Sequence, residues 1–268
     1  MVDLKIKKYN LFLLIFIFLL NLCVKISVAQ TPYQLKTVVI DAGHGGKDPG
    51  AIGKISQEKN ITLAIALKTG QYIKKNIKGV KVIYTRTKDE FIPLDERANI
   101  ANKNKADLFI SIHVNSSKNP KAYGAETYIM GLHKTEDNLK VAIKENSAAL
   151  YEKNYKQKYN GVEPLSPETY IIMNLYQNAY RDYSLRFAQL VQEQFKLRAK
   201  RKDLGVKQAG FLVLWRTTMP SVLIEVGFIS NKNEEKFLNT DYGQSIIASA
   251  IYRAVKNFKK QVENKTNE

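Results

Sequence analysis

The stretch VVIDAGHGG at residues 38–46 decides the fold. Its β-branched first half is typical of a buried strand. Gly43, Gly45 and Gly46 allow backbone angles that other residues resist, so the chain can bend sharply and expose His44 at the strand end. A histidine presented there is a candidate metal ligand or general base. Glycine-rich turns also end ordinary strands, so the rest of the chain has to decide between these roles.

Strand-like and helix-like segments alternate along the chain after this stretch. Alternation of this kind predicts an α/β fold, a single three-layer domain with a mostly parallel twisted sheet flanked by helices. Ligands of such sheets bind at the carboxyl ends of strands, and His44 and His113 both lie at or just beyond a strand end. The predicted strands end at 40 or cover 80–84, 108–114, 124–130, 211–215 and 222–226, and the predicted helices cover 58–75, 95–105, 137–153, 175–197 and 245–258.

The first 29 residues have the features of a signal peptide. Three lysines precede an apolar run at 11–22, and Ser27-Val28-Ala29 resembles a cleavage site. The run is short for a membrane span, which makes a retained anchor the alternative. Cleavage would remove Cys23, the only cysteine. We therefore expect an exported protein of the periplasm or cell envelope, with a linker at 30–36, a catalytic domain at 37–260 that contains an insertion at 131–175, and a polar, frayed tail at 261–268.

The chain is strongly basic. Lys and Arg number 42 against 25 Asp and Glu, a formal charge of +17 over 268 residues. Such a surface favours anionic partners such as acidic polymers or anionic lipid, or it is simply a solvated face that aids solubility. No compact cluster of arginines and aromatic residues is typical of a nucleic-acid motif, so no nucleic-acid partner is expected.

Two of the three histidines, His44 and His113, suggest a hydrolytic metal site. Zinc sites of this kind often combine two histidines with one carboxylate and keep a position open for water. Glu58 is a candidate third ligand because it opens the helix after the His44 turn, although an acid at a helix N-terminus is also favoured by the helix dipole alone. Asp41 and Asp48 are rivals for the same role.

Glu225 is the other informative acid. It interrupts the apolar strand VLIEVGF at 222–228. A buried carboxylate is costly unless it is paired, bound to a metal or protonated. It is either half of a buried salt bridge, for example to Arg216, or a general base whose pKa is tuned beside a metal. The two histidines favour the second interpretation.

Four ordered motifs resemble one family. They are VIDAGHGGKDPGA at 39–51, EKN at 58–60, SIHVNS at 111–116 and MPSVLIEVGFISN at 219–231. They are similar to those of the zinc-dependent N-acetylmuramoyl-L-alanine amidases of the AmiA/AmiB/AmiC type, the amidase 3 family, over about residues 38–258. Val114 stands where many members have alanine.

The resemblance implies that His44, Glu58 and His113 bind Zn²⁺ and that Glu225 is the catalytic acid/base. It implies cleavage of the amide between N-acetylmuramic acid and L-alanine in peptidoglycan, in cell-wall remodelling and daughter-cell separation. Asn115, in the third motif, is a candidate substrate-binding residue. We also expect the glycines to give a polymeric substrate close access to the metal.

In some amidases of this type a helix covers the zinc cleft until a partner displaces it. The predicted helix at 137–153 is a candidate for that role, with Glu145 or Glu152 reaching the metal and an activator protein displacing the 131–175 insertion. The alternative is a simple surface excursion. Two further functions stay open: a zinc peptidase that cuts stem peptides, and a non-catalytic wall-binding protein of the same fold.

Overall fold

The computed structural model describes residues 33–159 and 180–264. Within them a six-stranded sheet has the order β2-β1-β3-β6-β4-β5. Neighbouring strands are parallel throughout except for the β4–β6 pair, which is antiparallel. The predicted mostly parallel α/β sheet is therefore confirmed. The strands are β1 (Thr37–Ala42), β2 (Lys81–Tyr84), β3 (Leu108–Asn115), β4 (Ala125–Met130), β5 (Asp203–Ala209) and β6 (Ser221–Phe228).

Helices cover both faces of the sheet. The face that carries Val39, Phe109 and Leu223 packs against the helices at 94–103, 136–146 and 212–215 in one apolar core. On the other face, the helix at 241–264 packs along the helices at 58–76 and 181–197, and the ring centroids of Phe187 and Phe258 lie 5.4 Å apart. The helices are α1 (Glu58–Asn76), α2 (Leu94–Lys103), α3 (Glu136–Asn146), α4 (Tyr155–Lys158), α5 (Arg181–Leu197), α6 (Leu212–Trp215), α7 (Lys232–Leu238) and α8 (Asp241–Asn264), and a 3₁₀ turn (Ser147–Tyr151) follows α3.

Two sequence expectations about strands were wrong. The segment 211–215 is not a strand: residues 212–215 form the short helix α6, which Phe211 precedes. A continuous apolar run of five residues fits either structure, and here it packs against α2 and the sheet core. The edge strand β5 was missed because it is polar along most of its length, with only its last residue fully buried.

The chain ends differ from expectation where they are described. The helix α8 continues to Asn264, and Val262 is buried, so residues 261–264 are not a frayed tail. The backbone N–H of Leu35 donates to Glu263 Oε1 at 3.1 Å, which fixes the end of the predicted linker. The predicted signal peptide at 1–29, residues 30–32 of the predicted linker, residues 160–175 of the insertion and the last four residues lie outside the described residues. No helix among residues 33–159 and 180–264 is long and apolar enough to cross a membrane.

The central strands place the predicted site residues at one edge of the sheet. Parallel strands β1 and β3 end at Ala42 and Asn115, just beside His44 and His113. In the adjacent strand β6, Glu225 is the register partner of His113. The C-terminal part of α3 reaches the same edge, where Glu145 contacts both histidines. This is where ligands bind in open α/β sheets.

Candidate metal centre

Two buried arginines hold the turn that carries His44. Arg97 donates to the carboxylate of Asp41 at 2.8 Å and to the carbonyls of Ala42 (2.8 Å) and His44 (2.9 Å). Arg86 donates to the carbonyls of Ala42 (2.9 Å) and Gly43 (2.8 Å). His44 has a φ of 60°, a left-handed conformation that is uncommon outside glycine. The guanidinium groups therefore stabilise a strained backbone that aims the His44 ring at the site.

The glycines of this turn lie where a Cβ would collide with neighbouring atoms. A Cβ on Gly43 would lie 2.5 Å from His113 Cε1, and a Cβ on Gly50 would lie 2.6 Å from His44 Cδ2. A Cβ on Gly45 would lie 2.2 Å from the Glu90 carbonyl oxygen. The expected access of a polymer to the metal through these glycines stays a prediction, whereas His44 is not exposed as expected but 5% accessible.

Four buried side chains converge on one point. His44 Nε2 lies 3.2 Å from Glu58 Oε1 and 3.0 Å from Glu145 Oε2. His113 Nδ1 lies 3.2 Å and 2.8 Å from the same two oxygens. One ligand atom from each residue fits within a 4.8 Å span. This cluster can hold a metal ion.

The hydrogen bonding and spacing of the candidate ligand atoms show whether a metal ion fits. Among the described residues, His44 Nε2, His113 Nδ1 and both Glu145 oxygens are buried without a hydrogen bond of acceptable geometry. Ligands at 2.0–2.1 Å around a tetrahedral zinc ion would lie about 3.4 Å apart. Close spacing without hydrogen-bond alignment is the arrangement expected of metal ligands, so the residues present fit the ion.

The two rival aspartates have other partners. Asp48 Oδ2 lies 2.8 Å from His44 Nδ1, on the side of the ring away from the cluster. A carboxylate there holds the ring orientation and leaves Nε2 free to bind a metal. Asp41 instead binds Arg97, Thr85 and Ser111. Neither aspartate belongs to the group of four.

Charge explains the pKa shifts in the cluster. Burial by itself lowers the pKa of His113, but the Glu145 and Glu58 carboxylates outweigh it and raise this pKa to about 9. The pKa of His44 is raised well above its usual value for the same reason, with Glu58 the main opposing charge. The pKa of Glu58 is lowered, against burial, by His44 and Lys144. The site thus concentrates negative charge that favours a cation.

Glu225 stands next to this cluster in the middle of the sheet. It is fully buried, and neither carboxylate oxygen has a hydrogen-bond partner among the described residues. Arg216, the salt-bridge partner considered from sequence, donates to the Lys158 carbonyl instead. Burial and the negative charge of Glu145 raise the pKa of Glu225 well above its usual value. Such a carboxyl group is suited to exchange protons with a substrate.

The two acids predicted to reach the metal differ in position. Glu145, near the C-terminal end of α3, lies in the cluster, and Lys144 Nζ is 3.0 Å from its other oxygen. Glu152 does not reach it: its carboxylate accepts hydrogen bonds from the Leu94 N–H (2.8 Å) and the Tyr159 hydroxyl (2.9 Å). Glu152 therefore fastens the segment after α3 to the start of α2.

A cavity of about 680 Å³ adjoins the cluster between α3, β4 and β5. Asn115, the predicted substrate-binding residue, lines it and donates to Glu126 Oε1 at 2.7 Å. The sequence interpretation missed Glu126, and it missed the roles of Asp48, Arg86 and Arg97. Of these residues, only Asp48 could have been identified from the sequence as a partner of His44, because it follows His44 by four residues within the same glycine-rich turn.

The fold is of the α/β class, and its buried His and Glu cluster is a site that could hold a metal ion. The profile of the N-acetylmuramoyl-L-alanine amidase family (Amidase_3) matches residues 38–257, and the chain belongs to that family. AmiA of Escherichia coli strain K12, an N-acetylmuramoyl-L-alanine amidase, is 34% identical over 221 residues, which cover 82% of this chain and 75% of the relative.

Solved structures agree with this assignment. The catalytic domain of CwlV, an N-acetylmuramoyl-L-alanine amidase from Bacillus (Paenibacillus) polymyxa var. colistinus, aligns with a TM-score of 0.62 at 31% identity, covering 83% of this chain and 97% of that one. The CwlD amidase from Clostridioides difficile, in complex with the GerS lipoprotein, aligns with a TM-score of 0.62 at 28% identity, covering 84% and 99%.

Proposed function

We propose that this protein is a zinc-dependent N-acetylmuramoyl-L-alanine amidase of peptidoglycan. It hydrolyses the amide between the lactyl group of N-acetylmuramic acid and L-alanine and so serves cell-wall remodelling and daughter-cell separation. The observation that carries the proposal is the convergence of His44, Glu58 and His113 beside Glu225 in a chain of the amidase family.

His44, Glu58 and His113 would hold the zinc ion. When bound, the ion supplies Lewis acidity, which polarises the scissile carbonyl and acidifies water at the site. Glu225 takes a proton from the water while the water oxygen attacks the carbonyl carbon. The same carboxyl then gives that proton to the alanine nitrogen as the C–N bond breaks, which leaves a carboxylic acid on the glycan and a free amine on the peptide.

The test is digestion of purified peptidoglycan with and without a chelator, read by mass spectrometry. The amidase releases peptides with a free L-alanine amine and leaves glycan without peptide, and added zinc restores the reaction after chelation. Cuts inside the stem peptides would show the zinc peptidase instead. A folded, zinc-loaded chain that releases neither product would show a non-catalytic wall-binding protein.

Glu145 extends the proposal to regulation. Its carboxylate lies between His44 and His113, where it would take the position that a reacting water needs. Lys144 and the buried Asn146, which bonds to the Gly210 carbonyl and the Leu212 N–H at 2.8 Å each, support α3 in this place. An activator protein would raise activity by displacing the 131–175 insertion. The complex of the related CwlD amidase with a lipoprotein supports such a partner.

Substitution of the blocking carboxylate tests this regulation. Glu145→Ala, and separately deletion of 136–170, should raise basal hydrolysis of peptidoglycan. Glu136→Ala, on the exposed first turn of the same helix, is the matched control and should change nothing. A Glu145→Ala chain that folds and binds zinc but shows unchanged or lower activity would exclude the block.

The site of action follows from the substrate. Export to the periplasm or cell envelope, directed by residues 1–29, would bring the domain to peptidoglycan. Fractionation of cells that produce the full chain, with N-terminal sequencing of the product, should show a protein in the envelope fraction that starts near Gln30. An intact N-terminus in a membrane fraction would show the retained anchor instead.

A further inference from the structure

We infer that the 680 Å³ cavity beside the metal cluster is a subsite for an acidic peptide, in which Lys207 recognises a carboxylate close to the scissile amide. The inference rests on the proposed amidase function and specifies which half of the substrate the cavity takes. It assigns the cavity to the peptide rather than to the glycan.

The position of the cavity ties it to the reacting centre. Asn115, on its wall, follows the cluster residue His113 by two positions in β3. Glu126, also on its wall, is the register partner of Glu225 in the antiparallel pair of β4 and β6. Directly opposite residues on neighbouring strands have Cβ atoms about 5 Å apart. A ligand that enters the cavity therefore lies within one or two peptide residues of Glu225.

A buried network fixes Lys207 at this place. Glu126 is 2% exposed, and its carboxylate accepts hydrogen bonds from Asn115 Nδ2 (2.7 Å) and the Tyr128 hydroxyl (2.9 Å). The ammonium of Lys207 forms an ion pair with the other oxygen of Glu126. A lysine has three N–H donors, and the Lys207 side chain is still 30% exposed. The network thus holds an ammonium that retains capacity for another carboxylate.

The charge of the cavity favours an anion. Its lining holds four lysines against the acids Glu126 and Asp137. Lys140 and Lys144 belong to α3, whereas Lys207 lies on β5 and Lys118 follows β3. The latter two remain at the cavity if α3 is displaced. Most of the lining is polar or charged, and Leu204 and Phe228 add some apolar wall.

The experiment uses two synthetic N-acetylmuramoyl-L-alanyl peptides. They differ only in the residue after alanine, which carries either a free carboxylate or the primary amide. Turnover, KM and equilibrium binding are measured with the zinc-loaded chain and with Glu145→Ala. Loss of one charge-assisted hydrogen bond should lower kcat/KM for the amide about tenfold, chiefly through KM.

Variants then test whether Lys207 causes the preference for the substrate with the free carboxylate. Lys207→Gln should bring the two substrates to within about threefold of each other, whereas Lys256→Gln, which removes an exposed lysine on α8, should keep the tenfold preference. Thermal unfolding checks that Lys207→Gln is folded, and the comparison of the two substrates on the unsubstituted chain decides independently of any variant.

The outcomes distinguish a failure of the proposed subsite from a failure of the proposed amidase activity. Equal cleavage of both peptides by the unsubstituted chain, or a full preference in folded Lys207→Gln, would overturn the subsite and leave the amidase standing. If neither peptide is cleaved but the free acid still binds about tenfold tighter, the amidase fails and the subsite stands. Equal or absent binding without cleavage would overturn both.

Discussion

Asp48→Asn should weaken zinc binding although Asp48 is not in the metal cluster. Asp48 Oδ2 lies 2.8 Å from His44 Nδ1, and both side chains are about 5% exposed. The carboxylate favours the ring form that carries its proton on Nδ1 and presents Nε2 to the metal. An asparagine keeps the size but loses the charge, and its amide can also turn its NH₂ group to the ring.

The size of the effect follows from the buried geometry. A hydrogen bond to a charged group contributes about 1.5–3 kcal/mol. At about 1.4 kcal/mol per factor of ten, the Kd for zinc should rise roughly 10- to 100-fold. Competition titration against a chromogenic chelator measures this Kd directly. Turnover at saturating zinc should fall far less than the affinity.

Asp89→Asn is the matched control. Asp89 accepts a hydrogen bond from the Gly46 N–H at 2.7 Å, so it supports the same turn, but its side chain is 49% exposed. Exposed pairs contribute about 0–1 kcal/mol, so the zinc Kd should change less than about fivefold. A folded Asp48→Asn protein whose zinc affinity equals that of Asp89→Asn would refute the role given to Asp48.

Three further predictions concern stability and the metal. Arg97→Met should lower the free energy of unfolding by about 3–5 kcal/mol, because it leaves the fully buried Asp41 without its cation. Lys103→Met, on the exposed end of α2, is the control and should lower it by under about 1 kcal/mol. Equal effects of the two substitutions in chemical denaturation would contradict the stabilising role given to Arg97. Gly43→Ala should weaken zinc binding and lower the Tm, since the new Cβ would lie 2.5 Å from the His113 ring. An unchanged Tm and an unchanged Kd for zinc would show that the ring can move to make room. Zinc at about 100 times its Kd should stabilise the protein by about 2.7 kcal/mol over the chelated form in thermal unfolding, and an absent shift would mean that the folded state binds no zinc.

The fold was predictable where local pattern and packing agree. The strands β1, β3 and β6 are apolar, central and buried on both faces, so their sequence runs identify them. The edge strand β5 carries Asp203, Lys207 and Gln208 and is held by backbone pairing to β4, which leaves no apolar signature. Residues 212–215 form a helix because their neighbours, rather than their composition, decide between helix and strand.

Part of the candidate site was also predictable from the sequence. His44, Glu58 and His113 stand at or near strand and helix ends, and Glu225 interrupts an apolar strand. The structure brings His44, Glu58 and His113 together and places Glu225 opposite His113 in the next strand. Their roles as zinc ligands and catalytic acid/base stay predictions until metal and turnover are measured. Arg97 could not be identified from the sequence, because its partners, the Asp41 carboxylate and two backbone carbonyls, become its neighbours only after folding.

The roles of the glycines illustrate the limit most clearly. From sequence, Gly43 and Gly45 are equivalent turn residues. In the structure, Gly43 leaves room for the ring of His113, whereas Gly45 leaves room for the carbonyl of Glu90. Tertiary neighbours that are 45 to 70 residues away decide these roles, and no local pattern contains that information.

The most direct test of the central claim is a paired measurement on Glu225→Gln. Zinc content is determined by elemental analysis, and release of peptide from purified peptidoglycan is measured on the same preparation. We expect one zinc per chain, as in the unsubstituted protein, and a turnover reduced by about 10²–10⁴-fold, because the glutamine cannot carry the proton from water to the leaving amine. Full turnover in Glu225→Gln would contradict its catalytic role, and loss of zinc together with activity would make Glu225 a metal ligand instead.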